Sequence, residues 1–235
     1  SPGAISRDGS PQALSCAVRR GSRLTQVRLR RGRAEVAPED LLQLHDDVGL
    51  IDTPFDRAEV LEHRSLSLRL DLGPDAPGGI VGWRARHHTG IVDVDRPDNY
   101  DPADFWEPVS ARHGGIILNP DDFYILATRE AVTVPPDYAA EMVAYDTLVG
   151  EFRVHYAGFF APGFGWHPDD RSIGSRGVLE VRSHDVPFLL EHEQVIGRLR
   201  YERLIARPEK IYGTAIGSHY QGQSLKLAKQ FKTPE

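Results

Sequence analysis

Residues 177–201 constrain the fold most, because they contain three short segments in which side-chain character alternates from one residue to the next. The segments are 177–182, 186–190 and 195–201, and their period of two residues is that of β-strands rather than of helices. Pro187 lies near the start of the second segment, where a strand tolerates a missing N–H. The stretch is therefore expected to form strands joined by turns.

A single carboxylate, Glu180, stands in the middle of the first segment. Alternation places Leu179 and Val181 on one face of the strand. Val178, Glu180 and Arg182 lie on the other face. On spacing alone Glu180 is either an ordinary strand glutamate that pairs with Arg182, or a general base. A base benefits from burial that raises the pKa of its carboxyl group, and the apolar neighbours lead us to expect partial burial here.

The rest of the chain also shows the pattern of a β-protein. Seventeen prolines and twenty-two glycines are scattered along it, as expected where many turns connect short strands. A helix is indicated at 38–45, where proline and two acids begin an apolar pattern. Further strands are predicted at 66–72, 80–86, 116–118 and 123–128. The predicted fold class is all-β with a few short helices.

Composition excludes several classes of protein. The net charge of −6 argues against general nucleic-acid binding. One cysteine, Cys16, allows neither a disulfide framework nor the cysteine pair of a zinc deaminase, and it fits a cytoplasmic protein. No apolar run reaches the roughly 18 residues of a membrane span, and no signal peptide is visible. His87 and His88 lack a third ligand at a recognisable spacing, so no metal site is predicted.

Three motifs together resemble a known family. They are the turn Pro162-Gly163-Phe164, the strand residues Val178-Leu179-Glu180, and a following glutamine-bearing strand that ends near Tyr201. This combination is similar to the dCTP deaminase branch of the dUTPase superfamily, over about two-thirds of the chain. The resemblance implies a dUTPase-like distorted β-barrel (β-clip).

The resemblance also implies a reaction. In the family, the glutamate corresponding to Glu180 is the general base, which activates a water that attacks C4 of cytosine so that ammonia leaves, without zinc. Val178 and Leu179 flank it as nucleotide contacts. Magnesium is expected to be coordinated by the triphosphate rather than by protein ligands. Nucleotides of the dCTP, dUTP and dTTP type, and a homo-oligomer that is a trimer or pseudo-trimer, are the implied partners, with no nucleic acid and no membrane.

The C-terminal arm provides a second match. The family holds the triphosphate and base with residues whose spacing is reproduced here by Tyr212, His219, Tyr220 and Gln223. His219 stands where the family has a lysine, which weakens phosphate binding at that position. Lys226 and Lys229 follow shortly afterwards and are the candidates to replace it.

Residues 144–153 depart from the family pattern. A deaminase carries an R-S-S-x-x-R-x-G segment there, and in this chain Thr147 stands for one serine while Arg153 is the nearest arginine. The acid that precedes the proline–glycine turn is replaced by Ala161. Either another copy of the fold supplies the missing groups to a composite site with Glu180, or this copy has lost catalysis.

A weak internal repeat in the sequence suggests where such a copy would be. Residues 19–29 follow the pattern of 191–201 at a constant offset of 172 positions. We therefore predict that 1–33 are the last hairpin of a truncated first copy, that 34–60 form a connector with a short helix, and that 61–235 are the deaminase-like domain.

The predicted function is hydrolytic deamination of dCTP to dUTP and ammonia in pyrimidine deoxynucleotide synthesis. Two alternatives remain. A dUTP diphosphatase or bifunctional enzyme would need a water held by an aspartate, which Ala161 disfavours. A non-catalytic nucleotide-binding or scaffold domain is favoured by the altered segment 144–153.

Overall fold

The computed structural model describes residues 14–21, 29–144, 152–154, 158–167, 174–183, 186–213 and 225–233. Two α-helices lie in these ranges, Pro38–Val48 (α1) and Arg57–His63 (α2). The first seven strands are β1 (Cys16–Ala17), β2 (Leu66–Arg69), β3 (Gly82–Ala85), β4 (Val92–Asp93), β5 (Trp106–Val109), β6 (Gly115–Leu118) and β7 (Phe123–Val132). The others are β8 (Tyr138–Ala144), β9 (Phe152–Val154), β10 (Phe159–Phe160), β11 (Ser175–Ser183), β12 (Phe188–Glu191) and β13 (Val195–Arg203). The predicted all-β class is confirmed.

Two larger sheets carry most of the strands. One has the order β10-β8-β13-β2 and the other the order β5-β3-β7-β11-β9, while β12-β6 and β1-β4 are two-stranded. Leucines from both large sheets meet in one apolar cluster, for example Leu68 and Leu199 from the first and Leu126 and Leu179 from the second, each at most 1% exposed. The core therefore lies between the two sheets, and truncating one of these leucines to alanine is expected to cost about 2–5 kcal/mol.

The central strand pair β7–β11 shows why alternation predicted this fold. In β7 the residues at positions 124, 126, 128, 130 and 132 are buried on the core side. One of them is charged: Glu130 is fully buried and accepts hydrogen bonds from the backbone N–H and the Nε of Arg69, both at 2.7 Å. Pairing and hydrogen bonding offset the cost of burying this carboxylate.

The sequence predicted the first of the two helices but not the second. Helix α1 begins at Pro38 with acids in its first turn and ends before Gly49, whose φ of 69° suits a left-handed cap. It is three residues longer than predicted, and Leu41 is buried in the main cluster. Helix α2 was not predicted, because seven residues with one buried side chain, Val60, give little periodicity. No helix in the described ranges has the length and apolar character needed to cross a membrane.

Several strand boundaries differ from the sequence prediction. Strand β2 ends at Arg69 rather than at residue 72, because Leu70 leaves β13 and bridges to Thr128 in the other sheet. Strand β7 runs without a break through residue 132. The strand predicted from residue 186 starts only at Phe188, after a bend.

The predicted N-terminal hairpin lies largely outside the described residues. Its first part contains β1, which pairs in parallel with β4. Residues 22–28, which include most of its second strand, are outside the described ranges. The assignment of 1–33 to a truncated first copy therefore stays a prediction, as do the boundaries of the connector and of the main domain.

A second apolar cluster covers part of the outer face of the five-stranded sheet. It is built around Phe105, Trp106, Ile125 and Phe231, with ring centroids of Phe231 and Phe105 5.5 Å apart. The segment that carries Phe231 is held by backbone bonds, including Tyr100 N–H to the carbonyl of Gln230 at 3.0 Å. The C-terminal segment 225–233 thus packs over the β5-β3-β7 half of this face.

Candidate active site

Glu180 lies near the middle of β11, on the side of the strand that faces away from the core. Leu179 and Val181 are each 1% exposed, whereas Val178 is 38% exposed and Glu180 is also exposed. The predicted division of the strand into two faces is confirmed for these four residues. The expected partial burial of Glu180 is wrong for this chain, because its apolar sequence neighbours turn toward the core and leave its own side uncovered.

The register across the sheet identifies what surrounds Glu180. Ile125 pairs with Glu180 on one side and with Trp83 on the other, so these three residues form a row across β11, β7 and β3. Directly opposed residues of antiparallel strands share a face of the sheet. Ile125 belongs to the second apolar cluster, so Glu180 stands next to an apolar surface on one side.

The next row along the strand is basic. Arg182 is 7% exposed, and its guanidinium lies 5.5 Å from the ring centroid of Phe123. The backbone register pairs Arg182 with Arg153 of β9. Glu180 therefore has an apolar row on one side and Arg182 two residues further along the same face, and a guanidinium near a base can stabilise phosphate or a developing negative charge.

The proline–glycine turn and Tyr212 meet in space although about fifty residues separate them. The N–H of Tyr212 donates to the carbonyl of Pro162 at 2.8 Å, and the rings of Tyr212 and Phe164 are 5.6 Å apart. A Cβ on Gly163, whose φ is 90°, would lie 2.8 Å from the carbonyl oxygen of Tyr212. Glycine is required at this position because it lets the two backbones approach each other.

The same turn is tied to the end of β7 and the start of β11. The N–H of Gly163 donates to the carbonyl of Val134, and the N–H of Val134 donates back to the carbonyl of Phe164, at 2.9 and 2.8 Å. Ala161, where the family has an acid, accepts the N–H of Phe164 at 3.0 Å. The turn therefore holds Tyr212 in a fixed relation to the strand that carries Glu180.

The other predicted nucleotide contacts divide into two groups. The side chain of Leu179 is in the core, so any contact that it makes with a nucleotide has to come from its main chain. Val178 and Tyr212 are accessible, and Arg153 is placed by its backbone pairing alone. Four predicted residues lie outside the described ranges and stay predictions: Thr147, His219, Tyr220 and Gln223.

His87, the first of the two adjacent histidines, makes an ordinary polar contact with a carboxylate. His87 Nε2 lies 2.8 Å from Asp122 Oδ1, and the same carboxylate is 3.5 Å from Arg84 Nη1. Arg84 also bonds Glu107, and this hydrogen bond lowers the pKa of that carboxyl below its ordinary value. Within the described ranges, no group of three or more His, Cys, Asp or Glu residues could hold a metal ion.

Comparison with known proteins bears on the identity of this site. The sequence model of the family "2'-deoxycytidine 5'-triphosphate deaminase (DCD), C-terminal domain" matches residues 37–231, which is most of the chain. A protein of Beutenbergia cavernae named "dCTP deaminase, dUMP-forming" is 34% identical over 111 residues, which are 46% of this chain and 53% of that protein. One of the same name from Mycobacterium avium is 29% identical over 175 residues, covering 72% of this chain and 81% of that one.

A solved structure gives the same result for the fold. The crystal structure of 2'-deoxycytidine 5'-triphosphate deaminase from Agrobacterium tumefaciens is 50% identical and superposes with a TM-score of 0.65, covering 76% of this chain and 50% of that chain. The predicted dUTPase-like β-fold is thereby confirmed. The present chain spans about half the length of this deaminase and of the Beutenbergia cavernae protein. It belongs to the family of the dCTP deaminase C-terminal domain.

Proposed function

We propose that this chain provides the part of a dCTP deaminase site that carries the general base, and that Glu180 is this base. The observation that supports the proposal is the position of Glu180. It lies in the middle of a long, well-packed strand, on the open side, inside the region that matches the deaminase family. A base on a rigid strand keeps the geometry that proton transfer from a water requires.

The proposed reaction begins with that water. Glu180 takes a proton from it as the oxygen attacks C4 of the cytosine ring; one water proton ends on the amino group, and the C4–N bond breaks so that ammonia leaves. The second water proton ends on ring N3 as C4 becomes the carbonyl of uracil. Arg182 follows Glu180 on the same face of β11 and pairs in backbone register with Arg153 of β9, and we propose these two positions as the source of positive charge for the nucleotide. Magnesium would be carried by the triphosphate, because this cation prefers phosphate oxygens and water to a full protein cage.

We further propose that the site is completed from outside the described residues of this chain. Glu180 is exposed here, and a general base gains from removal of water around it. The segment 144–153 and Ala161 lack groups that the family uses. A second copy of the fold, in a trimer or pseudo-trimer or within a longer chain, would supply them across the open side of β11.

The test is ammonia release from dCTP with magnesium, measured for the unaltered protein and for Glu180→Gln, each alone and with a first copy of the fold added. The variant is expected to lose about 10²–10⁴-fold in turnover while still binding dCTP, since a general base contributes that much. Glu191→Gln, which alters another exposed strand glutamate, is the matched control and is expected to retain full activity. Equal activity in Glu180→Gln and Glu191→Gln would refute the assignment.

The product distinguishes two versions of this function. Sequence reasoning favours dUTP, because Ala161 removes the acid that would position a second water. The names of the relatives "dCTP deaminase, dUMP-forming" favour a bifunctional reaction in which pyrophosphate is released as well. Chromatography of the nucleotides separates dUTP from dUMP in the same assay. Binding of dCTP without any ammonia, also when a first copy is added, would instead indicate a scaffold.

A further inference from the structure

A cleft lies beside the C-terminal segment 225–233, apart from Glu180. Its volume is about 1130 Å³, and its walls come from the loops around residues 71–83 and 97–98 and from the C-terminal segment. Trp83 is one of the residues that line it. In the row of paired residues across the sheet, Ile125 stands between Trp83 and Glu180, and Ile125 is buried in the second apolar cluster. The cleft is large enough for a small organic ligand.

The distribution of lysines singles this cleft out. The chain contains twenty-eight basic residues, but its four lysines all fall after residue 209. Three of the four, Lys226, Lys229 and Lys232, line the cleft. Among the described residues, none of these three lysines has a carboxylate oxygen within 4.0 Å of its ammonium nitrogen. The two arginines of the lining, Arg129 and Arg176, are both in ion pairs. Unpaired ammonium groups on one wall favour a ligand with several negative charges.

The lining also contains two donor groups that face each other, on His192 and Arg129. His192 Nδ1 lies 3.0 Å from the buried backbone N–H of Leu72, and its Nε2 lies 3.3 Å from Arg129 Nη1. Both neighbours are donors, and a neutral imidazole has one acceptor nitrogen. The Leu72 N–H takes that acceptor, so Nε2 carries a hydrogen that faces a guanidinium. A negatively charged oxygen that contacts both Nε2 and the guanidinium of Arg129 would accept a hydrogen bond from each group.

Arg129 itself supports this interpretation. Its Nη1 is 2.6 Å from Glu193 Oε1, while its Nε is buried and makes no hydrogen bond with any described residue. An unpaired buried donor is costly, and such groups in native proteins call for an explanation. A ligand oxygen that draws the guanidinium toward the cleft would provide an acceptor for it.

The lining of the cleft contains four aspartates beside its three lysines and two arginines. Asp71 is paired with Arg176, and Asp52 accepts the backbone N–H of Ala131 at 2.8 Å. Asp75 and Asp98 complete the acidic part of the lining. Asp71 is therefore neutralised by an ion pair, whereas Asp52, Asp75 and Asp98 keep their charge and offset that of the lysines at a distance. Within the described residues the three ammonium groups nevertheless stand outside ion-pairing distance of any carboxylate, so they can still contact a polyanion.

We propose that this cleft is a second phosphate-binding site, which takes a linear polyphosphate either free or as part of a nucleotide. The phosphates would lie between the lysine wall and the donors of His192 and Arg129. The indole of Trp83 at the edge offers a surface on which a base can stack. The cleft is proposed as a site separate from the one at Glu180, which assigns Lys226 and Lys229 here rather than to the substrate triphosphate, for which the sequence made them candidates.

The test is a calorimetric titration with inorganic tripolyphosphate at low salt. We expect saturable binding that weakens at least about tenfold in Lys226→Gln/Lys229→Gln, because two charged contacts are lost. The control Arg57→Gln/Arg64→Gln removes the same charge from helix α2 and its C-cap and is expected to bind as the unaltered protein does. No binding, or equal weakening in both double variants, would overturn the proposal.

Two further arms refine the result. His192→Asn keeps an oxygen that can accept the Leu72 N–H but removes the Nε2 donor, so it should weaken tripolyphosphate binding about tenfold without unfolding the protein. Tighter binding of ATP that falls to the level of tripolyphosphate in Trp83→Leu would identify a nucleotide rather than free polyphosphate. If dCTP displaces tripolyphosphate one for one from Glu180→Gln, the cleft belongs to the substrate site and the claim of a second site is wrong.

Discussion

Replacing Gly165 by alanine should be among the most damaging single-atom changes available in this chain. Gly165 has a φ of 62°, which costs a residue with a Cβ about 1–2 kcal/mol. Its Cβ would also lie 2.0 Å from the carbonyl oxygen of Val132 and 2.6 Å from the backbone nitrogen of Ser175. These two neighbours face each other where β7 and β11 pair, so relief of the clash has to move the backbone of the central strands.

The two costs can be separated with a second glycine. Gly114 has a similar φ of 79°, but a Cβ there meets nothing within 4 Å. Gly114→Ala should therefore lose only the conformational term, about 1–2 kcal/mol. Gly165→Ala carries this term and an overpacking term of about 1–3 kcal/mol, so about 2–5 kcal/mol in total.

Urea denaturation of both variants, followed by circular dichroism, gives the free energies of unfolding. The expected result is that Gly165→Ala loses about 1–3 kcal/mol more than Gly114→Ala. Equal losses would show that the Val132–Ser175 end of the sheet yields easily, and the argument from close backbone approach would then be wrong. A loss confined to dCTP binding, with unchanged stability, would instead locate the strain in the turn that holds Tyr212.

Three other predictions follow from buried or half-buried groups. Glu130→Gln leaves one donor of Arg69 facing an amide N–H and should cost about 3 kcal/mol in urea denaturation, whereas the exposed Glu62→Gln should stay within about 0.5 kcal/mol. The Nδ1 of His45 accepts the N–H of Leu50, and burial lowers the pKa of this ring. The stability that the neutral ring contributes is therefore fully present above the ordinary pKa of about 6.5. It is lost as the pH falls through the lower pKa of the folded state. That decline should disappear in His45→Asn, and an unchanged pH profile of stability would refute the role of this ring. Phe231→Ala should speed amide hydrogen exchange at residues 98–100 and 229–232 while the β7–β11 amides stay protected, and uniform acceleration would show that the C-terminal segment is not a separate unit.

The sequence predicted two long strands well. The sequence of each alternates, although burial follows the alternation in β11 at 177–181 and not in β13, where residues 196–199 are all buried; the structure extends each predicted strand by only a few residues. Boundaries failed where the chain changes sheets, as at Leu70, because a local pattern carries no information about which strand will be the next neighbour. Helix α2 failed for a related reason: its stability comes from packing of Val60 and from the cap at Asp56, not from a periodic apolar face.

Site prediction depended on different information. Motifs located Glu180 and the proline–glycine turn, and the structure brings that turn against Tyr212, as a shared site would require. The burial of Glu180 could not be predicted from its neighbours in sequence, since Leu179 and Val181 report on the opposite face. The cleft beside Trp83 required knowledge of where the C-terminal segment returns, although the concentration of lysines near the end of the chain was visible in the sequence.

The composite site proposed above would explain both the exposure of Glu180 and the departures from the family pattern. Strand β9 is the outermost strand of its sheet and only three residues long, so it provides little cover beside β11. A base in water on an open strand would gain little from its surroundings, whereas the same carboxylate under a second copy of the fold would be desolvated and placed near the groups that this copy lacks. The altered segment at 144–153 and the open side of β11 are then two consequences of one arrangement, in which different copies contribute different parts of the site. On this view, restoring a serine and an arginine within 144–153 should not by itself create activity in a chain whose Glu180 remains exposed.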